Sequence, residues 1–176
     1  FLSSPVVDLD GYPYFVNPVS DGIPCMTREL LDEVVDGIVS VADLDCDMVL
    51  TPEAMGIPLA ACITERTGIP YSVIRKRRYG LPEEISLDQR TGYSHSPMYV
   101  NGVGPGTRVA VVDDVVSTGG TLKAIVGALR DAGVIVTEVV TVYSKQRDLS
   151  GLSAELGVPV RCLLAVSSSG GVPCLL

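Results

Sequence analysis

The sequence predicts an α/β domain: a mostly parallel, twisted sheet flanked by helices. Two observations carry that expectation. From residue 48 onward, short apolar runs alternate with helix-period segments. The chain also has no Trp, two Phe and seven Tyr, although 47% of it is hydrophobic. Its core must therefore be aliphatic, which suits parallel strands buried on both faces. A length of 176 residues fits one such domain with an ample core.

Within about residues 3–26, residues 3–24 are rich in Pro, Gly and aromatics, among them Tyr12, Pro13, Tyr14, Phe15, Pro18 and Pro24. They read as an irregular but ordered arm. Thr27 is a helix N-cap, and Glu29–Val41 follows with Leu30, Leu31, Val34, Val35 and Ile38 on one face. Met48–Thr51 reads as a short buried strand. It runs into Pro52-Glu53-Ala54-Met55-Gly56 and then a helix to about Thr67, stopped by Gly68. Tyr71–Ile74 is the next strand.

Residues 75–104 break the alternation. They open with Arg75-Lys76-Arg77-Arg78 and continue as polar sequence with Gly and Pro. A stretch of that length inside a compact domain signals a functional loop, and residues 77–100 are read as a lid. Ile85–Leu87 and Met98–Val100 are candidates to pair within it. Arg108–Val112 then reads as a buried strand, and Thr121 to about Ala132 as a helix ended by Gly133. Val134–Tyr143 is a strand, Leu149–Leu156 a short helix and Val160–Val166 a last strand. The whole of residues 1–176 is read as one domain.

Composition excludes several classes of function. The net charge is −8, a poor match to nucleic acid or an anionic membrane surface. Five scattered cysteines, without C-x-x-C spacing, do not form a disulfide framework or a zinc site. The single His, His95, argues against metal held by nitrogen and sulfur. No run reads as a signal peptide or a spanning helix, so the expected location is the cytoplasm.

The segment that carries chemistry is Val109-Ala-Val-Val-Asp113-Asp114-Val-Val-Ser117-Thr118-Gly119-Gly120-Thr121. A buried strand delivers two acids to its carboxyl end, where ligands of open α/β sheets bind. A loop of Ser, Thr and Gly then opens a helix. Backbone N–H groups of Ser117–Thr121 suit one phosphate, aided by the positive end of that helix. Gly119 and Gly120 allow close approach of the backbone. Asp113 and Asp114 would repel that phosphate, so they fit sugar hydroxyls instead. A 5-phosphoribosyl group offers both ends. The segment lacks Gly-Lys-[Ser/Thr] and G-x-G-x-x-G, so it is neither a Walker loop nor a dinucleotide fingerprint. The bland alternative is a strand end whose acids cap the next helix.

At these residues the chain resembles the type I phosphoribosyltransferases, over about residues 12–166. It is most similar to the purine salvage members, notably the archaeal hypoxanthine/guanine enzymes, with the adenine enzymes as near neighbours. The resemblance implies the fold of that family, with a small hood and a flexible loop. It implies phosphoribosyl diphosphate (PRPP) and a purine base as substrates, Mg²⁺ as cofactor and a homodimer as the assembly. Asp113 and Asp114 would hold the ribose hydroxyls, and Ser117, Thr118, Gly119, Gly120 and Thr121 the 5-phosphate. Glu53, Ala54, Met55 and Gly56 stand where the family keeps its pyrophosphate loop, often with a cis peptide. Arg75 and Lys76 match the pair that opens the flexible loop, and Lys76 joins the two acids as a catalytic candidate. Taken alone, Glu53–Gly56 is also an ordinary turn, and Arg75-Lys76 a solvated basic one.

Lys145 closes a strand where 6-oxopurine enzymes place a lysine on the base O6. A cationic donor fits hypoxanthine or guanine better than adenine, although a solvent-facing lysine is equally compatible with the sequence. Tyr14, Phe15, Val16 and Asn17 would form the hood, with Phe15 against the purine, or else pack as core. Mg²⁺ would be held through PRPP and water, with Asp113 and Asp114 as the only protein candidates. The family's proton-handling acids are missing. Ser117 replaces the Asp of vertebrate-type hypoxanthine enzymes, and Gly92 stands before Tyr93 where adenine enzymes carry Glu. Glu53, Glu84 and Asp88 remain candidates by charge, while Tyr93 and Ser94 would belong to the covering loop. The other readings are adenine transfer and a non-catalytic PRPP-sensing regulator.

Overall fold

The computed structural model describes residues 2–9, 11–87, 90–91, 94–95, 97–168 and 172–176, with the backbone alone for residues 12, 90, 91, 94 and 95. In chain order the elements are β1 (Val6–Leu9), β2 (Tyr12–Phe15), α1 (Pro18–Asp21), α2 (Arg28–Val41), β3 (Met48–Pro52) and α3 (Gly56–Thr67). Then come β4 (Tyr71–Ile74), β5 (Ile85–Leu87), β6 (Arg90–Thr91), β7 (Ser94–His95), β8 (Met98–Val100) and β9 (Arg108–Val116). The chain ends with α4 (Gly120–Asp131), β10 (Ile135–Ser144), α5 (Ser150–Leu156), β11 (Val160–Ser167) and β12 (Cys174–Leu175).

The main sheet runs β12-β11-β10-β9-β3-β4. Its five long strands are parallel, and only β12 is antiparallel. In chain order the five form a doubly wound 2-1-3-4-5 arrangement. The winding direction changes between β3 and β9, which makes their carboxyl ends the switch point where such folds bind ligands. One face of the sheet packs Leu50, Val109, Val111 and Val139 against Ile125 and Leu129 of α4 and Leu152 of α5. The other packs Val49, Val112 and Val140 against Val35 and Ile38 of α2 and Leu59 and Ile63 of α3. The expected aliphatic core is present. Phe15 and Tyr143 are its aromatic members among the described residues.

Local signals set most boundaries. The Thr27 hydroxyl accepts the Leu30 N–H at 3.3 Å and starts α2. Gly68, at φ 75°, ends α3. Strand β9 runs four residues past the expected Val112, because its parallel pairing with β10 continues through Asp113↔Thr141 to Val116↔Ser144. The arm is more regular than its composition suggests. β1 and β2 pair as a hairpin, and Asn17 caps α1 by accepting from the N–H groups of Val19 and Ser20 at 3.0 Å. β12, which the sequence reading did not foresee, adds two residues to the edge of β11.

At the amino end of the sheet, Glu138 is 1% exposed. One of its oxygens accepts the N–H groups of Asp43 and Leu44 at 2.9 and 2.7 Å, and the other pairs with Arg161. The buried charge is thus fully engaged, as a buried carboxylate must be. The lid's foreseen pairing is also there: β5 and β8 are antiparallel, with Ile85 opposite Val100.

Candidate active site

Two adjoining cavities open at the carboxyl ends of β3, β9 and β10. One, of about 250 Å³, is lined by Asp113, the loop Ser117–Leu122 and Lys145. The other, of about 380 Å³, is lined by Glu53, Ala54, Met55, Lys76, Asp114 and others, and it shares Asp113 and Thr121 with the first. Residues chosen from four separate stretches of sequence therefore converge on one place.

The loop after β9 is shaped by Gly119. Its φ is +81°, and a Cβ there would lie 2.7 Å from Leu152 Cδ1. Helix α4 starts directly after it, at Gly120, with Gly119 in the N-cap position and so no N-cap side chain. The positive end of a twelve-residue helix thus meets the cavity, which suits an anion. Gly120 is less constrained, since the nearest atom to an added Cβ is Thr118 Oγ1 at 3.8 Å.

Asp113 and Asp114 stand side by side, with the Asp114 N–H donating to Asp113 Oδ1 at 2.9 Å. Burial first, and then the charge of Asp114, push the Asp113 carboxyl up to about 8. Burial, and secondarily the same Asp114 charge, also raise the Tyr143 phenol. The pair is therefore a site poised to receive hydroxyl donors or a cation.

The second loop is built on β3. The peptide bond Glu53–Ala54 is cis. Gly56 stands behind it, buried, where a Cβ would overlap Thr51 Oγ1 at 1.9 Å. Its glycine is thus required by packing of α3 on β3. Glu53 accepts the Lys76 N–H at 2.9 Å and pairs with Arg75 Nη1 at 3.3 Å. That engagement makes Glu53 a brace between two loops, rather than the free acid its charge alone suggested. Lys76 lines the cavity, whereas the Arg75 side chain turns to Glu53.

Two further expectations change. Phe15 is 2% exposed and packs edge-on to Tyr143 at 5.7 Å, so it presents no open face to a purine. It supports Lys145, whose Nζ lies 5.6 Å from the Phe15 ring and 5.4 Å from that of Tyr14. Glu84 accepts from the N–H groups of Tyr79 and Gly80 and from Asn101 Nδ2, at 2.9 to 3.1 Å. It braces the base of the lid and lines a different cavity with Arg78 and Tyr99. Asp88, Gly92 and Tyr93 lie outside the described residues, as does the Ser94 side chain. Sequence reasoning missed Ser20 and Met98, which line the second cavity, and Gln146, whose side chain reaches Ser117. Only the position of Gln146 beside Lys145 could have drawn attention to it.

Residues 28–172 match the phosphoribosyl transferase domain family. The chain belongs to that family. This phosphoribosyltransferase is 47% identical over 165 residues to the hypoxanthine/guanine phosphoribosyltransferase of Methanosalsum zhilinae, covering 94% of the present chain and 86% of the relative. It is 52% identical over 145 residues to an HGPRTase-like protein 2 of Haloterrigena turkmenica, covering 82% and 80%. Among solved structures, the adenine phosphoribosyltransferase of Thermoanaerobacter pseudethanolicus superposes with a TM-score of 0.74 at 21% identity, over 92% of this chain and 95% of the other. At that identity the likeness is one of fold. It agrees with the type I architecture expected from the sequence. Among the described residues no helix is long and apolar enough to cross a membrane.

Proposed function

We propose that this phosphoribosyltransferase transfers the 5-phosphoribosyl group of PRPP to hypoxanthine or guanine, forming IMP or GMP and pyrophosphate. The observation that carries the choice of base is Lys145, which lines the same cavity as Asp113 and the Ser117–Thr121 loop. An ammonium group donates to a purine carbonyl and repels an exocyclic amino group. Relatives at 44–47% identity that are named hypoxanthine/guanine phosphoribosyltransferases support that choice.

The residues divide the work by charge. The Ser117–Thr121 loop holds the 5-phosphate through N–H and hydroxyl donors. Asp113 and Asp114 accept from the ribose hydroxyls and face the positive charge that develops on the ring as the C1–pyrophosphate bond breaks. Lys76 stands by the leaving pyrophosphate, beside the Glu53–Met55 loop. Lys145 orients the base, and the 77–100 lid excludes water that would hydrolyse PRPP.

Mg²⁺ fits the donors present. Among the described residues no cluster of three or more His, Cys, Asp or Glu forms a cage. Asp113 and Asp114, side by side, offer hard oxygen ligands to an ion that keeps waters and substrate phosphates. Bound with the diphosphate, Mg²⁺ would supply positive charge to the leaving group. A homodimer in the cytoplasm completes the proposal.

The test is pyrophosphate release from PRPP and Mg²⁺, with hypoxanthine, guanine, xanthine, adenine and orotate offered separately. Turnover with hypoxanthine or guanine is expected. Turnover with adenine alone would keep the PRPP site and overturn the base. PRPP binding without turnover on any base would leave a sensor in place of an enzyme.

A further inference from the structure

Lys145 and Gln146 are tied to the end of β9 and to the first residue of the phosphate loop. The Lys145 N–H donates to the Val116 carbonyl at 2.8 Å, just past the last β9–β10 pair, Ser144↔Val116. The next residue, Gln146, turns its side-chain amide back and donates to the Ser117 carbonyl at 2.6 Å. The turn that presents Gln146 is itself closed. The buried Ser144 hydroxyl accepts the Gln146 N–H at 3.0 Å and donates to the Gln146 carbonyl at 2.9 Å. The backbone of Gln146 is therefore fixed, and its side chain spans from the base end of the site to the phosphate end.

The atom it holds matters. The Ser117 carbonyl and the Thr118 N–H belong to one planar, trans peptide unit, in which the two groups point in opposite directions. Fixing the carbonyl toward Gln146 fixes the Thr118 N–H away from it. A phosphate that accepts from this N–H polarises the shared amide and strengthens the bond its carbonyl makes to Gln146. The same bond then holds the turn that carries Lys145.

We propose that Gln146 is a positioning residue that couples the 5-phosphate loop to the base-reading Lys145, so that filling one subsite improves the hold of the other. The coupling is reciprocal, as any equilibrium linkage between two sites must be. The proposal rests on the reading of the two subsites given above.

Gln146→Met keeps the length of the side chain and removes the donor. Gln146→Glu, a second variant of the same shape, sets a carboxylate against the Ser117 carbonyl. Steady-state kinetics would use PRPP, Mg²⁺ and whichever purine the wild type turns over, with ribose 5-phosphate as an inhibitor competing with PRPP. For Gln146→Met the KM values for PRPP and for the base should both rise about three- to tenfold, as loss of one net hydrogen bond implies. The ribose 5-phosphate inhibition constant should rise by the same factor as the PRPP KM, with kcat within about twofold and the melting temperature unchanged. Gln146→Glu should exceed both KM effects. A rise confined to the base KM, unchanged KM values, or a fall in kcat with a matching loss of melting temperature would overturn the coupling. If the wild type turned over no purine, the functional reading would fall. PRPP and ribose 5-phosphate affinities of wild type and Gln146→Met, by calorimetry, would still decide the role of Gln146 at the phosphate loop.

Discussion

Glu53 accepts a hydrogen bond from the backbone N–H of Lys76 at 2.9 Å, and so joins the turn after β3 to the residue that opens the lid. The same carboxylate draws in Arg75, whose side chain is 45% exposed. In that exposure the ion pair contributes little stability. Its effect is on position: it sets where the Lys76 ammonium begins.

Glu53→Ala should therefore lower kcat/KM for PRPP by about three- to tenfold while costing under ~1 kcal/mol of folding stability. Glu53→Gln, which keeps an acceptor for the Lys76 N–H, should recover most of the activity. Steady-state kinetics beside urea unfolding would separate the two effects. A large stability loss with unchanged kinetics would contradict the bracing role.

Asp114→Ala should weaken PRPP binding. Each charged hydrogen bond lost to a ribose hydroxyl is worth on the order of 1.5–3 kcal/mol, or about ten- to a hundredfold in affinity. Calorimetry with Mg²⁺ and PRPP reads it directly, and an unchanged affinity would remove the acids from the ribose.

The pH dependence of the ligand-free protein follows from Asp113. Its folded pKa is raised to about 8, so the folded state holds a proton that the unfolded chain releases near 4. The associated stability is complete below about pH 4 and is lost as pH rises through about 8. Asp113→Asn cannot ionise. Relative to wild type, its melting temperature should gain progressively between pH 5 and pH 8.5. Parallel melting curves across that range would refute the shifted carboxyl.

Gly119→Ala meets two obstacles at once, a φ of +81° and a methyl 2.7 Å from its Cβ. A loss of about 1–3 kcal/mol in stability is expected, with PRPP affinity falling alongside. Adding Leu152→Ala should relieve the contact but not the backbone cost, so recovery should be partial. Full recovery would show that the left-handed conformation at Gly119 matters little.

Much of this was legible in sequence because it is local. The run from Val109 to Thr121 encodes strand, acids, loop and helix within thirteen consecutive residues. Thr27 and Gly68 mark helix ends by their own chemistry. The missed features depend on partners distant in the chain. β9 continues past Val112 only because β10 lies beside it, and Phe15 is withdrawn from the cavity by packing against Tyr143. Glu53 and Glu84 looked like free acids until their N–H donors were in place, and nothing in a single sequence announces that Gln146 reaches Ser117.

Glu138 carries a consequence for how the chain is made. The N–H groups it accepts belong to Asp43 and Leu44, 95 and 94 residues earlier. On a ribosome the 43–44 turn emerges long before that partner is synthesised. At about 5–20 residues per second, the delay is roughly 5–20 s. For that interval helix α2 and strand β3, on either side of the turn, lack the anchor that fixes their junction. The first half of the nascent chain should thus resist protease only once β10 has followed it out.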